Sequence, residues 1–146
     1  MKHVLLIIAV LITHILSAQV PQSMSYQAVV RNSSNNLVQN SNVGIRVSIL
    51  QGGPTGSVVY QEVQTVMTNV NGLLTMEIGQ GTPVVGLFSA TPWSSGQCYL
   101  QTEIDPAGGT SYSMTVTTQL LSVPYAFYAK TSEDAARIKT LIYTGF

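Results

Sequence analysis

Three glutamates in the middle of the chain carry the side chains with the most obvious chemistry. Glu62 lies in the run SVVYQEVQTVMT, Glu77 in LLTMEIG and Glu103 in QCYLQTEI. Two carboxylates that flank a glycosidic bond can act as general acid and general base in its hydrolysis. Each run alternates apolar and polar residues, however, and the alternation predicts that all three glutamates face solvent. A solvated sheet face therefore explains them without a catalytic cleft.

Other catalytic and metal chemistries lack their side chains. The two histidines, His3 and His14, lie in the N-terminal segment that we interpret below as a removable signal. Without them, a Ser-His-Asp or Cys-His arrangement and a zinc site of the usual composition cannot be assembled. Asp105 stands in a turn before Pro106, and no D-x-D-x-D pattern predicts a calcium loop. We expect no catalytic residues, no metal and no cofactor.

Cys98 is the one cysteine of the chain and lies in the strand-like run GQCYLQTEI. It has no partner for a disulfide within the chain, so packing alone must hold the fold. A lone cysteine in such a run is usually a small hydrophobe that faces a core or a sheet surface. A reactive thiol, which would need a nearby base or cation, and an intermolecular disulfide are the alternatives.

Length and composition indicate one domain with an uncharged polar surface. The chain has 146 residues, of which 8% are charged, and its formal net charge at pH 7 is zero. The charged fraction of ordinary globular proteins is about a quarter, so Ser, Thr, Gln and Asn must cover this surface. No lysine or arginine lies between Arg46 and Lys130. Because a nucleic acid would find no basic patch, we expect no nucleic-acid partner.

The N-terminal segment MKHVLLIIAVLITHILSAQ is typical of a secretory signal peptide. One lysine is followed by an apolar run, and the small residues Ser17 and Ala18 precede Gln19. We predict a signal over residues 1–18 that is cleaved after Ala18. The apolar run is shorter than the roughly 20 residues of a transmembrane helix, so the cleaved chain is not expected to span a membrane. The predicted location is exported, in the periplasm, on the cell surface or in the extracellular space.

Short apolar runs separated by turn residues dominate the remainder of the chain. In NVGIRVSIL the odd-numbered residues from Val43 to Ile49 are all apolar, as expected of a strand with one buried face. The dipeptide Asn71-Gly72 predicts a hairpin that pairs SVVYQEVQTVMT with LLTMEIG. The turn DPAGG predicts a second hairpin, between QCYLQTEI and TSYSMTVTTQLL.

These runs predict an all-β fold. Their number and length favour an antiparallel immunoglobulin-like or transthyretin-like sandwich of six to seven strands, with a small barrel as the alternative. We assign the sandwich to residues 19–130. Residues 131–146 are interpreted as a tail with a short C-terminal helix, because Ile138, Leu141 and Ile142 form one apolar stripe at helical spacing.

The stretch LLSVPYAFYAK is predicted to close the sandwich and to lead out of it. Pro124 cannot donate to a β-ladder, so the last strand should end near Val123. Tyr125, Phe127 and Tyr128 then follow with little polar surface to solvate them. Since burial of a large apolar side chain is worth about 1.5–3 kcal/mol, we expect at least two of these rings to pack back onto the sandwich as a docking latch.

Trp93 and Tyr99 are the candidates for stacking on a ligand. Trp93 lies in ATPWSSGQCY between a proline and a strand, where a large ring commonly packs at the end of a sandwich core. Aromatic rings beside uncharged amides are also the surface that carbohydrate recognition uses. Core or rim packing is favoured for Trp93, and sugar stacking with a nearby tyrosine is the alternative.

Five runs in residues 25–131 together resemble a known family. They are SYQAVVRNSSNNLV, GIRVSILQG, VVYQEVQTVMTNVNGLLTMEIG, WSSGQCYLQTEIDPAGG and QLLSVPYAFYAKT. The resemblance is to an N-terminal module of secreted surface proteins of Gram-negative bacteria, which often precedes stalk-like, collagen-like or tail-fibre-like regions. It implies a β-sandwich without established catalytic activity and with a structural or adhesive role. Fifteen residues follow Thr131, which we interpret as a truncated stalk or an early end of the reading frame.

Taken together, the residues predict a non-catalytic structural or interaction module of a secreted cell-surface protein. A carbohydrate- or peptide-binding module with a role in adhesion is the alternative, and an enzyme ranks last. The expected partner is a protein or a glycan whose identity the sequence leaves open. Association with a second copy of the chain is also left open.

Overall fold

The computed structural model describes residues 22–121. This part of the chain is all-β, with antiparallel strand pairs throughout, which confirms the predicted fold class at that level. A 3₁₀-helix at Phe88–Ala90 is the one helical element in the described range. The seven strands are β1 Met24–Val29, β2 Asn42–Gln51, β3 Ser57–Met67, β4 Leu73–Ile78, β5 Thr82–Val85, β6 Cys98–Asp105 and β7 Met114–Gln119.

Three predictions fall outside the described residues. They are the signal over residues 1–18, the latch formed by Tyr125, Phe127 and Tyr128, and the C-terminal helix in residues 131–146. Within residues 22–121, no helix has the length and apolar character that a membrane crossing requires.

The strands form two sheets that enclose one core. A five-stranded sheet has the order β5-β3-β2-β6-β7, and β1 pairs with β4 in a two-stranded sheet. The side of the large sheet that faces β1 and β4 is called the inner face below, and the opposite side is called the outer face. The arrangement is sandwich-like, and its core consists mainly of inner-face and β4 side chains, among them Val43, Ile45, Val47, Ile49, Tyr60, Leu74, Met76, Ile78, Cys98 and Leu100.

Strand β2 lies at the centre of the large sheet and shows the predicted alternation. Its odd-numbered residues from Val43 to Ile49 are completely buried on the inner face. The outer face of β2 is also largely covered, since Ser48 and Leu50 are buried. Both edges of β2 are paired, with β3 on one side and β6 on the other, so this strand is the best-enclosed element of the fold.

The predicted hairpin at Asn71-Gly72 is wrong, although a tight turn is present. Strands β3 and β4 belong to different sheets, and β4 pairs with β1 instead. The turn is closed by hydrogen bonds from Gly72 N to Asn69 O and from Asn69 N to Leu73 O, both 2.9 Å long. Both edges of β3 are already paired, with β2 and β5, so no edge remains for β4. The turn therefore carries the chain from one sheet to the other.

The second predicted hairpin is confirmed. Strand β6 pairs with β7 from Tyr99 opposite Gln119 to Ile104 opposite Met114. The connecting loop, residues 106–113, folds back over the outer face, where the Gly109 carbonyl oxygen lies so close to Gly44 that no Cβ would fit there.

Strand β5 was not among the predicted runs. Its sequence TPVV contains Pro83, which cannot donate a backbone hydrogen bond, and such residues are confined to sheet edges. Among the described strands, β5 lies at one edge of the large sheet and is paired with β3 alone.

Candidate functional site

Paired polar side chains cover the middle of the outer face. Gln61 Nε2 donates to Ser48 Oγ at 2.8 Å, which joins β3 to β2. Gln101 Nε2 donates to Thr117 Oγ1 at 3.3 Å, which joins β6 to β7. These groups satisfy one another across strands, so this part of the outer face offers few unused hydrogen-bonding groups to a ligand.

An ion pair lies beside these polar pairs. The Arg46 guanidinium donates from Nε and Nη2 to the two carboxylate oxygens of Glu103, each at 2.6 Å. The two side chains are 35% and 15% exposed, respectively, so the pair is only partly shielded from water. Hydrogen bonding to Glu103 raises the pKa of Arg46, because it favours the charged guanidinium. The Arg46 guanidinium also lies over the Tyr112 ring, 4.5 Å from its centroid.

The loop that carries Tyr112 is fixed by the buried carboxylate of Asp105. Asp105 Oδ1 accepts a hydrogen bond from Ala107 N and Oδ2 accepts one from Ser111 N, each 2.9 Å long. The backbone adds bonds from Gly108 N to Asp105 O and from Ser113 N to Ile104 O, both 3.1 Å long. These four bonds hold both ends of the loop, so its position on the outer face does not depend on a ligand.

A groove of about 270 Å³ lies between this loop and the edge of the large sheet. One wall is formed by β3 and β5, and the other by the fixed loop. Neutral polar groups and glycine backbone make up most of its surface. The residues that line the groove are Val63, Gln64, Thr65, Thr82, Gly108, Gly109, Thr110 and Tyr112.

The groove differs from the middle of the outer face in its hydroxyl groups. Thr65, Thr82 and Thr110 are exposed, and Tyr112 is half-buried. Within residues 22–121, no hydrogen bond from protein groups reaches the hydroxyls of these four residues. In the described part of the chain, the groove therefore presents four hydroxyls without a protein partner, whereas the side-chain amides of Gln61, Gln64 and Gln101 are paired.

Glu62 corrects the prediction that all three strand glutamates face solvent. Its side chain lies on the inner face and is 0% exposed. Glu103 lies on the outer face, and Glu77 is exposed on β4, where Ser23 Oγ donates to its Oε2 at 3.0 Å. The structure thus does not bring the three carboxylates together. Glu62 shares the inner face of β3 with Tyr60 and Gln64, because residues two apart on a strand point to the same side.

Neutral donors surround the Glu62 carboxylate. Tyr60 Oη donates to Oε2 at 2.7 Å, and Gly81 N donates to the same oxygen at 2.8 Å. Gly79 N lies 3.1 Å from both carboxylate oxygens, and Gln64 Nε2 donates to Oε1 at 3.0 Å. Burial, followed by the hydrogen bond to Glu62, raises the pKa of Tyr60 well above its ordinary value, so the phenol stays a donor. Glu62 therefore fastens the β4–β5 turn to β3.

The remaining acidic and thiol groups form no further reactive cluster. No three His, Cys, Asp or Glu side chains come together as metal ligands within the described range 22–121. Cys98 is buried in the core, and burial raises the pKa of its thiol. The interpretation of Cys98 as a small core hydrophobe is therefore confirmed.

One family model matches the chain. It is described as "Domain of unknown function (DUF8740)" and matches residues 25–119, which is more than half of the chain. The chain belongs to this family. Neither the curated proteins nor the solved structures contain a match.

Within the DUF8740 domain, Trp93 and Tyr99 lie in different surroundings. Trp93 is 43% exposed, and its ring packs edge-to-face on Phe88, with the centroids 5.4 Å apart. Phe88 packs in the same way on the core residue Tyr60, at 5.3 Å. Tyr99 lies on the outer face opposite Leu50, and its hydroxyl donates to Gln97 Oε1 at 3.3 Å. The two rings form no aromatic pair in the described part of the domain, and ligand stacking on them stays a prediction.

The sequence predictions did not include Tyr112 or the groove of the DUF8740 domain. The signal that could have indicated the fixed loop is the turn sequence DPAGG, since an aspartate commonly accepts hydrogen bonds from backbone groups two residues later. No local signal places Thr65 and Thr82 beside that loop, because the groove combines residues from three separate segments.

Proposed function

We propose that the chain is a non-catalytic interaction module of an exported cell-surface protein, and that it contacts its partner through the outer face. The observation that carries this proposal is how the carboxylates are used. Each of the four acidic side chains of residues 22–121 accepts hydrogen bonds within the protein. A general acid or base must instead be within reach of a substrate.

The position of Glu62 supports a structural role for this glutamate rather than a role in acid-base catalysis. Its four donors are the Tyr60 hydroxyl, the Gln64 amide and the Gly79 and Gly81 backbone amides. Because they close off a fully buried carboxylate, a substrate has no path to it short of local unfolding. The outer face, by contrast, combines a fixed loop, an aromatic ring and open hydroxyls, which are features of a binding surface.

Export is supported by the sequence. The apolar segment before Gln19 is typical of a signal peptide, and the motif order resembles secreted surface modules. The low charge of the surface is compatible with binding to uncharged partners.

Cross-linking on intact cells tests the proposal. The full-length chain is expressed in cells that encode it, and a membrane-impermeant cross-linker is added from outside. Thr65→Arg places a long charged side chain on the outer face, whereas Thr75→Arg, on the exposed side of β4, is the matched control. We expect a cross-linked product in wild type and Thr75→Arg that is lost in Thr65→Arg.

Three results would overturn the proposal. They are the absence of any cross-link from outside the cell, equal cross-linking in both variants, and turnover of a glycoside by the purified mature chain.

A further inference from the structure

We propose that the groove between the 106–113 loop and the β3–β5 edge is a binding site for neutral saccharides. The proposal rests on the proposed interaction function and names the class of ligand. The observation behind it is a groove lined by Thr65, Thr82, Thr110 and Tyr112, whose four hydroxyls have no hydrogen-bond partner among residues 22–121.

The lining of the groove favours an uncharged ligand. Three charged side chains lie near the groove, and each is engaged within the protein. Arg46, over the Tyr112 ring, binds Glu103 in a two-point contact at 2.6 Å. The Asp105 carboxylate accepts hydrogen bonds from Ala107 N and Ser111 N, each 2.9 Å long. None of the residues that line the groove is itself charged. An anionic or cationic ligand would have to give up water without gaining an opposite charge, which is unfavourable.

The sheet pairing disfavours an extended peptide as the ligand. Peptides commonly bind sheets by adding a strand to an exposed edge, which requires unpaired backbone groups. At the groove, Val63 is already opposite Thr82 on one side and opposite Arg46 on the other. The other edge of β5 is unpaired among the described strands, but β5 has only four residues and Pro83 cannot donate a backbone hydrogen bond there. The groove itself thus offers mainly side-chain hydroxyls.

Size and preorganisation suit a short saccharide. A volume of about 270 Å³ lies just below the usual range of about 300–1,000 Å³ for small-molecule pockets, so the groove is suited to one sugar unit of a longer chain. Asp105 fixes the loop through Ala107 N and Ser111 N, which lowers the ordering cost of binding.

The groove also supplies the two kinds of contact that a sugar ring needs. Sugar hydroxyls can donate to and accept from threonine hydroxyls, and sugar C–H groups can pack on the Tyr112 ring and on Val63. Arg46 covers one face of the Tyr112 ring and keeps the ring in place.

Titration of the purified mature chain tests the assignment. Maltohexaose, cellohexaose and laminarihexaose are the neutral probes, and polygalacturonate is the charged one. Backbone NMR shifts are followed for wild type, for the double variant T65V/T82V and for the control T75V on β4. We expect at least one neutral probe to shift the amides of Thr65, Thr82 and residues 108–112. Its Kd should rise about tenfold or more in T65V/T82V and stay unchanged in T75V.

Tyr112→Ala is the second variant, because valine substitutions on a strand could act through the sheet. It should abolish binding of the neutral probe while the spectrum of the core stays dispersed. Unchanged affinity in T65V/T82V and in Tyr112→Ala would overturn the groove assignment, as would the absence of shifts with all three neutral probes. Tighter binding of polygalacturonate than of the neutral probes would overturn the class of ligand. Cross-linking that still depends on Thr65 in any of these cases would leave the interaction function standing.

Discussion

Glu62 and Glu103 lie on opposite faces of the same sheet, and the protein holds the two carboxylates in different ways. Glu62 is fully buried and is surrounded by a phenol, a side-chain amide and two backbone amides. Glu103 is partly exposed and is held by the guanidinium of Arg46. The inner carboxylate thus relies on neutral donors and the outer one on an opposite charge.

The two carboxylates should therefore differ in how much each contributes to the stability of the fold. Removal of a buried carboxylate leaves several buried donors without acceptors. Each such donor lowers the unfolding free energy by about 1–3 kcal/mol. A partly exposed ion pair is exchanged readily for water and salt, and its net worth is commonly about 1 kcal/mol or less. The surroundings of Glu62 should therefore tolerate little change, whereas the exposed side chains of the outer face should tolerate more.

Removal of the inner carboxylate should have the largest effect. Glu62→Ala leaves the Tyr60 hydroxyl and the Gly79 and Gly81 amides without their acceptor, and we expect a loss of about 3 kcal/mol or more in unfolding free energy. Urea denaturation at unchanged m-value measures it. Glu77→Ala on the exposed side of β4 is the control and should lose about 0.5 kcal/mol or less. Similar losses in both variants would contradict the burial of Glu62.

Tyr60→Phe isolates one of the inner donors. The ring and its edge-to-face contact with Phe88 are kept, while the 2.7 Å hydrogen bond to Glu62 is lost. Hydrogen bonds to charged groups are worth about 1.5–3 kcal/mol, so thermal unfolding should show a loss of about 2 kcal/mol. In the control Tyr99→Phe, which removes a half-exposed hydroxyl, the loss should be a few tenths of a kcal/mol. A neutral effect of Tyr60→Phe would mean that Glu62 does not depend on the phenol.

Gly44→Ala tests how closely the 106–113 loop lies on the outer face. The added Cβ would collide with the Gly109 carbonyl oxygen, so the loop must move. Steric overpacking costs about 1–3 kcal/mol, and we expect about 1.5 kcal/mol together with shifted NMR signals for Tyr112. Gly53→Ala meets no atom within 4 Å and serves as the control. Unperturbed loop signals in Gly44→Ala would show that the loop does not rest there.

The outer ion pair should give the smallest effect. Glu103→Gln removes the charge that faces Arg46, and the expected loss is about 1 kcal/mol or less because both side chains reach solvent. At 1 M NaCl the Debye length falls to about 3 Å, so the loss should shrink, whereas that of Glu62→Ala should not. If salt changed the stability losses of the two variants equally, Glu103 and Glu62 would not differ in being held by an opposite charge and by neutral donors.

Elements with a strict period of two were predictable from the sequence. The alternation from Val43 to Ile49 indicated a strand with one buried face, and these residues are the centre of the core. The β6–β7 hairpin was predictable because its turn and both strands are contiguous in the chain. Local pattern is sufficient where pairing partners are also neighbours in sequence.

Pairing between strands that compete for an edge was not predictable in this way. Asn71-Gly72 does form a turn, with Gly72 at a φ of 69°, but β3 has no free edge to offer β4. Likewise, alternation on β3 groups Glu62 with Tyr60 without showing which face is buried. That choice depends on the two-stranded sheet and on the amides of Gly79 and Gly81, which lie beyond the strand.

The groove could not be inferred because its parts are distant in the chain. Thr65, Thr82 and Tyr112 belong to β3, β5 and the loop before β7, and only the sheet order brings them together. The residue types gave no signal either, since isolated threonines on strands are ordinary surface residues.

Hydrogen exchange at Gly79 and Gly81 tests most directly whether the buried Glu62 carboxylate holds the β4–β5 turn. Both amides donate to the buried carboxylate, whereas the amide of Gly96, in an exposed turn, has no acceptor among residues 22–121. We expect Gly79 and Gly81 to be protected nearly as strongly as the central strand β2, and Gly96 to exchange quickly. Glu62→Ala, which removes both acceptor oxygens, should abolish the protection of the two glycines. Rapid exchange of Gly79 and Gly81 in the wild-type protein, at the rate of Gly96, would contradict this expectation.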